Sequence, residues 1–295
     1  MTEFNNTFKN LFKETNQNHD IRKPYFEAIR SLREKRTILS LFISFRKFSP
    51  LEQSDADILE EILANEDNTK GISLILDAPG GNGLAAERII RICKSYSGKD
   101  FEVIVPDKAK SAATMICLGA DKILMSKSSE LGPIDPQVAY DIGQGTSWIA
   151  AHDIVSAYEE LFARAVRFSD GGISTLLQQL REEIDAVKIK DLKSLIKLSE
   201  DMAINSLSNG MMHKASRNEI RNRIKPFTDP ELTLSHDSGI DIELAKNSSL
   251  NVEEIDLNSP LWAAVKGLYM RSQYLVNSTD VAKIIETAND SYILR

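Results

Sequence analysis

Ser111 stands where a nucleophile would. The apolar run FEVIV ends at Pro106-Asp107, and the small-residue stretch SAATMICLGA opens as a helix directly at the serine. A hydroxyl there lies at the positive end of a helix, beside backbone N–H groups that have no helical partner. Such donors can hold the oxyanion that forms on a carbonyl under attack. A second set of donors comes with Pro79-Gly80-Gly81, the turn in LDAPGGNGLAAERI that joins an apolar strand to an amphipathic helix. The plainer role for Ser111, a helix N-cap, also fits its position.

The same turn carries a competing pattern. GNGLAA matches G-x-G-x-x-A between a strand and a helix, as in a dinucleotide-binding turn. Proline directly before the glycines is unusual for a phosphate turn, and Asp107 lies 26 residues beyond Gly81, past the usual acidic position. There is no G-K-[ST], so the ordinary triphosphate loop is excluded.

Several titratable residues are candidate helpers of the serine. Lys108 and Lys110 flank it and could lower its pKa or meet a substrate carboxylate, although neighbouring lysines are commonly only solvated. Asp135 follows Ser111 by 24 residues, in GPIDP, where it turns the chain or serves as an acid. His152 starts the helix AHDIVSAYEELFARAVRF, 41 residues beyond Ser111. A histidine titrates near neutral pH, which suits a group that takes a proton from a hydroxyl. His19 is expected in solvent within a polar tail, and His213 and His236 fall in an irregular stretch. Four histidines without matching carboxylate spacing give no metal site.

The elements that must position these residues alternate. TILSLFISF, GISLILD, FEVIVP and KILM read as buried strands, with helices at SDADILEEILANED (capped by Ser54), GLAAERIIRICKSY and SAATMICLGA between them. Strand and helix alternating at this spacing predict right-handed crossovers and a mostly parallel sheet whose functional loops lie at the carboxyl ends of the strands. DAPGGNG and PDKAKSAA are the two loops so placed. Beyond residue 150 the pattern is helical, with helices about 174 to 187 and 190 to 208, an irregular stretch to Ser259, and a last helix in LWAAVKGLYMRSQYLV. The expected division is an N-terminal polar arm and helix (1–36), a catalytic core (37–170) and a mostly helical C-terminal extension (171–295).

Composition limits the partners. Of 295 residues 42% are hydrophobic and 27% charged, which is ordinary for a folded soluble domain. The net charge of -7 disfavours nucleic acid or an anionic membrane surface as the main partner. No apolar stretch is long enough to span a membrane, and the N-terminal residues are too polar for a secretory signal. Cys93 and Cys117 sit apart inside apolar patterns and read as reduced core thiols. A cytoplasmic protein is expected.

LILDAPGGNGLAAERI followed by VIVPDKAKSAATMICLGADKILMSKSSELGPIDPQV resembles the serine dehydrogenase proteinase family of the Clp-protease/crotonase superfamily, related to signal peptide peptidase A. The pattern is strand, Pro-Gly-Gly, helix, strand, then a serine followed by small residues and an Ala-Asp-x-Ile segment. Ser111 precedes Asp121 of ADKI by ten residues, the family's offset. The resemblance is strong over about 70 to 138 and weaker towards both ends. It implies a Clp/crotonase-type α/β spiral of ββα units with a helical C-terminal extension. It implies peptide-bond hydrolysis with Ser111 as nucleophile, and the N–H groups of Gly80, Gly81 and Ala112 as oxyanion hole. Membrane-linked relatives place a lysine near the position of His152, which makes a Ser111–His152 pair the first expectation for the base, ahead of Lys108, Lys110 or Asp135. The family implies a homo-oligomer acting on a peptide or protein substrate without metal or organic cofactor. A catalytically silent scaffold or oligomeric binding protein of the same fold, and a dinucleotide-binding protein, are the alternatives.

Overall fold

The computed structural model describes residues 11, 14, 18–98, 100–141, 146–167, 186–229, 232 and 239–295. The chain begins with α1 (His19–Leu32) and β1 (Thr37–Ile43), followed by α2 (Gln53–Ala64), β2 (Ile72–Asp77) and α3 (Gly83–Tyr96). Next come β3 (Phe101–Val105), β4 (Lys108–Ala109), α4 (Ala112–Gly119), β5 (Lys122–Met125) and β6 (Glu130–Leu131). A hairpin of β7 (Gln137–Asp141) and β8 (Thr146–Ala150) leads into α5 (Ala151–Arg167) and α6 (Ala186–Ser208). The rest is α7 (Arg217–Arg223), α8 (Lys225–Thr228), α9 (Ile242–Asn247), β9 (Val252–Glu254), α10 (Pro260–Ser278), β10 (Lys283–Glu286) and β11 (Ser291–Leu294).

β1 and β2 are buried along their whole length, because helices cover both faces of the sheet. Their side chains alternate between two cores. Leu39, Leu41, Leu74, Leu76, Val103 and Val105 pack under α2, α3 and α4. Ile38, Phe42, Ile75, Ile104 and Leu124 face the other way, onto Phe26 and Ile29 of α1 and Trp262, Val265 and Leu268 of α10. The strand order is β11-β10-β1-β2-β3-β5-β9. Pairing is parallel from β1 through β2, β3 and β5 to β9, and antiparallel at β10 and β11. The short β4 pairs with β6 outside this sheet, which gives the ββα units their second layer.

In the segment 171–295, β9, β10 and β11 accompany the helices and pair into the central sheet at its two edges. The helix expected at about 174 to 187 lies almost wholly outside the described residues. Ser54 does not cap α2: the helix starts at Gln53, and the Asp55 carboxylate accepts from the Glu52 N–H at 2.7 Å. Asp55 is buried against Lys283 of β10 at 2.9 Å, which anchors the helix start to the sheet. Arg22 and Glu286 form a second buried pair, with Nε and Nη2 donating at 2.8 and 2.5 Å, and tie α1 to β10. Both cysteines are buried free thiols, and burial pushes Cys93 up to about 12 and Cys117 higher still.

Candidate active site

The carboxyl ends of β2 and β3 hold the two loops together. The Ala78 N–H donates to the Lys108 carbonyl at 3.1 Å, and the Lys110 N–H donates back to the Ala78 carbonyl at 3.0 Å. This short ladder runs straight into Ser111. On the other side of the turn, the Leu51 N–H donates to the Gly80 carbonyl at 2.8 Å and the Asn82 N–H donates to the Leu51 carbonyl at 2.9 Å. Asn82 then caps α3, its side-chain oxygen accepting from Leu84 N–H at 2.9 Å and Ala85 N–H at 3.3 Å.

Ser111 has φ 49° and ψ -119°, a left-handed backbone that a residue with a Cβ adopts only under constraint. It precedes α4, but its side chain makes no capping hydrogen bond, so the N-cap role does not account for it. Gly80 has φ +107°, and a Cβ placed on it would lie 2.7 Å from Ser111 Cβ and 3.1 Å from Ala112 N. Gly81 has φ +145°, and a Cβ there would run into the Leu51 backbone. Both glycines are therefore required, one by the serine and the other by the strand-like contact with Leu51. Among the described residues no backbone carbonyl accepts from the N–H groups of Gly80, Gly81 or Ala112.

A cavity of about 720 Å³ opens over Ser111, lined by Gly80, Gly81, Ala112 and Met115. Its outer walls are Phe45 and Phe48 after β1, Ile134 and Pro136, Trp148 of β8, and Leu195, Leu198 and Met202 of α6. Phe48 and Trp148 stack across it with ring centroids 6.0 Å apart. Lys47 is the one charged side chain among the described lining residues, and its Nζ donates to the carbonyls of Val276 at 2.7 Å, Val281 at 2.5 Å, and Thr279.

The other sequence candidates lie elsewhere. Lys110 is buried, with Nζ 2.9 Å from Glu130 and donating to the Leu131 carbonyl at 3.2 Å, and the half-exposed Lys108 reaches the same carboxylate at 3.7 Å. Both lysines thus reach Glu130 at the start of β6, and neither lines the cavity over the serine. His152 and Asp135 line a separate cavity of about 330 Å³ with Glu200, Arg221 and Lys225. Ile134, Pro136 and Ser199 line both cavities, so the two adjoin along these residues, with Ser111 in one and His152 in the other. His19, expected in solvent, bonds the Thr287 carbonyl at 2.8 Å, His213 is exposed, and His236 lies outside the described residues. Asp107, the acid a dinucleotide site would need, accepts from the Tyr269 hydroxyl at 3.0 Å. No group of metal-binding side chains occurs among the described residues.

Sequence reasoning missed the cavity walls and a buried acid behind the turn. Asp77 ends β2 and is fully buried; burial pushes it up to about 8, the neighbouring Asp107 adding to the rise. An acid closing the apolar run LIL was its visible signal.

A parallel sheet, ββα units and a strained serine opposite a Pro-Gly-Gly turn define a ClpP-like α/β fold. Residues 20–160 match the ClpP-like SDH-type serine proteinase family, and over that segment the resemblance to the serine dehydrogenase proteinases is borne out. An uncharacterized protein of Methanocaldococcus jannaschii is 44% identical over 92 residues, 31% of each chain. A membrane-bound protease of Pyrococcus horikoshii is 26% identical over 229 residues, 76% of this chain and 51% of that protein. The matches thus span about a third to a half of the length of these curated relatives. A solved membrane-bound stomatin-specific protease, in a serine-to-alanine variant, aligns over 77% of this chain and 81% of its own, with TM-score 0.40 and 19% identity. The family match over residues 20–160 supports a peptidase. No helix among the described residues is long and apolar enough to cross a membrane.

Proposed function

We propose that the chain is a serine peptidase that hydrolyses peptide bonds through an acyl-enzyme on Ser111. The carrying observation is the strained Ser111 backbone, its hydroxyl uncommitted to a cap, held at contact distance from Gly80. Ser111 Oγ attacks the scissile carbonyl carbon and gives its proton to a base. The resulting oxyanion is held by the N–H groups of Gly80 or Gly81 and Ala112. Collapse expels the amine, which takes the proton, and water then cleaves the ester and restores the serine. This reading needs neither metal nor organic cofactor, takes peptide or protein substrates, and has the chain acting as a homo-oligomer in the cytoplasm.

His152 is the proposed base. It lines the cavity that adjoins the Ser111 cavity along Ile134, Pro136 and Ser199, and in this reading a bound peptide brings imidazole and hydroxyl together. A second reading, a catalytically silent scaffold, is favoured by one observation: the charged group lining the Ser111 cavity, Lys47, is tied to three carbonyls. A fluorophosphonate probe separates the two. The peptidase reading expects labelling of Ser111 alone, lost with peptidase activity in a folded Ser111→Ala variant, and a rate loss of about 10²-fold or more in His152→Ala. Labelling elsewhere, or full activity in Ser111→Ala, refutes the nucleophile; a folded wild type that takes no label favours the scaffold.

A further inference from the structure

Behind the serine turn, on the α10 side of the sheet, runs a line of polar side chains that the peptidase chemistry does not use. Asp77 Oδ1 accepts from the Lys108 N–H at 2.9 Å, directly beside the ladder that carries Ser111. Asp77 Oδ2 accepts from Gln273 Nε2. Gln273 Oε1 accepts from Asn277 Nδ2 at 2.7 Å, and Asn277 Oδ1 accepts from Ser44 Oγ at 3.0 Å. Ser44 lines the Ser111 cavity, at the start of the loop that supplies Phe45 and Phe48. One buried carboxyl thus touches the turn that presents the nucleophile and, through two amides of α10, the opposite wall.

We infer that Asp77 is a positioning residue for Ser111, and that the chain Asp77–Gln273–Asn277–Ser44 couples the serine turn to the far wall of the cavity. A left-handed non-glycine residue persists only where its surroundings over-determine it. The Lys108 N–H bond supplies part of that constraint, three residues before the serine. The charged and titratable groups facing Asp77 are Asp107 after β3, Lys108 of β4 and Tyr269 on α10. Burial and Asp107 hold the Asp77 carboxyl uncharged up to about pH 8. An uncharged acid can donate to Gln273, because each amide of the chain can turn over and reverse its direction. Ser44 Oγ then accepts from Asn277 and keeps its own proton for the cavity. Ionisation brings a second negative charge beside Asp107 and commits the Ser44 proton to Asn277.

The activity readouts rest on the peptidase reading; amide hydrogen exchange does not. Asp77→Asn keeps the shape and the acceptor for Lys108, whereas Asp77→Ala removes both. The inference expects Asp77→Ala to lower kcat about 10²-fold with KM within a few-fold, and to speed exchange at the Lys108 amide. Asp77→Asn should retain kcat and amide protection, and should lack the loss of activity that the inference expects of the wild type above about pH 8. Gln273→Met breaks the coupling but spares the Lys108 bond, so it should raise KM about 2- to 10-fold at near-normal kcat. Wild-type kcat and Lys108 protection in Asp77→Ala would overturn the positioning role, as would an unchanged alkaline limb in Asp77→Asn. Unchanged KM in Gln273→Met would overturn the coupling. If wild-type Ser111 is itself inert, the peptidase reading fails, and Lys108 exchange in the Asp77 variants still decides whether Asp77 positions the turn.

Discussion

A methyl group added at Gly80 tests the oxyanion geometry with the least change of chemistry. The new Cβ would lie 2.7 Å from Ser111 Cβ, 2.8 Å from the Lys110 carbonyl oxygen and 3.1 Å from Ala112 N. The first two distances are below any ordinary contact, and neither partner is the free end of a flexible side chain. The backbone φ of +107° must also be held by a residue with a Cβ, which costs about 1–3 kcal/mol. Gly80→Ala therefore displaces the serine and covers the Ala112 N–H, one of two proposed oxyanion donors. Losing one such donor typically costs about 10²–10³ in kcat. Gly98→Ala is the control: it too puts a Cβ on a positive-φ backbone (φ +60°), nothing lies within 4 Å of that Cβ, and it should leave turnover unchanged. The assay is kcat on a peptide substrate together with the rate of fluorophosphonate labelling, with thermal unfolding to verify folding. A folded Gly80→Ala enzyme with wild-type kcat would refute the placement of the oxyanion hole.

Ser111→Gly should abolish labelling and yet raise the melting temperature, since glycine holds φ 49° without the strain of about 1–3 kcal/mol; a lower melting temperature would show that the serine is not strained. Trp148→Ala, which removes the stack with Phe48 over the cavity, should raise KM about 2- to 10-fold and leave kcat near normal, as read from steady-state kinetics on apolar peptides. The raised Asp77 pKa makes a stability prediction with a definite sign. Between about pH 4 and about pH 8 the folded state keeps a proton on Asp77 that the unfolded chain releases, so this residue lowers stability as pH rises, by at most about 1.4 kcal/mol per unit. Urea titrations of wild type and Asp77→Asn should converge at low pH and diverge in favour of the variant towards pH 8; parallel curves would contradict the assignment.

The central strands were legible because they are continuous apolar runs, and the serine turn because Pro-Gly-Gly and SAAT stand where such strands end. β9, β10 and β11 were not. VEE, KIIE and SYIL are only three or four residues long, and β10 becomes a strand through its pairing with β1, more than 230 residues earlier. The cavity walls were hidden for a similar reason. Phe48, Trp148 and Leu198 come from three distant segments, and nothing local distinguishes an exposed aromatic over a cavity from one on a plain surface. The spacing of 41 residues between Ser111 and His152 does not say which cavity the histidine lines. The border of the two cavities is made by tertiary packing of the segment after β6 against α6, where Ser199 Oγ donates to the Ile134 carbonyl at 2.6 Å.

Acyl-enzyme trapping tests the central claim most directly. The protein is mixed with an activated peptide ester, quenched in acid within the first turnovers, and digested for mass spectrometry. The account predicts one added acyl group, located on the peptide that contains Ser111 and missing from Ser111→Ala. Hydrolysis of the ester by wild type with no acyl group on Ser111, or with the same adduct in Ser111→Ala, would contradict it.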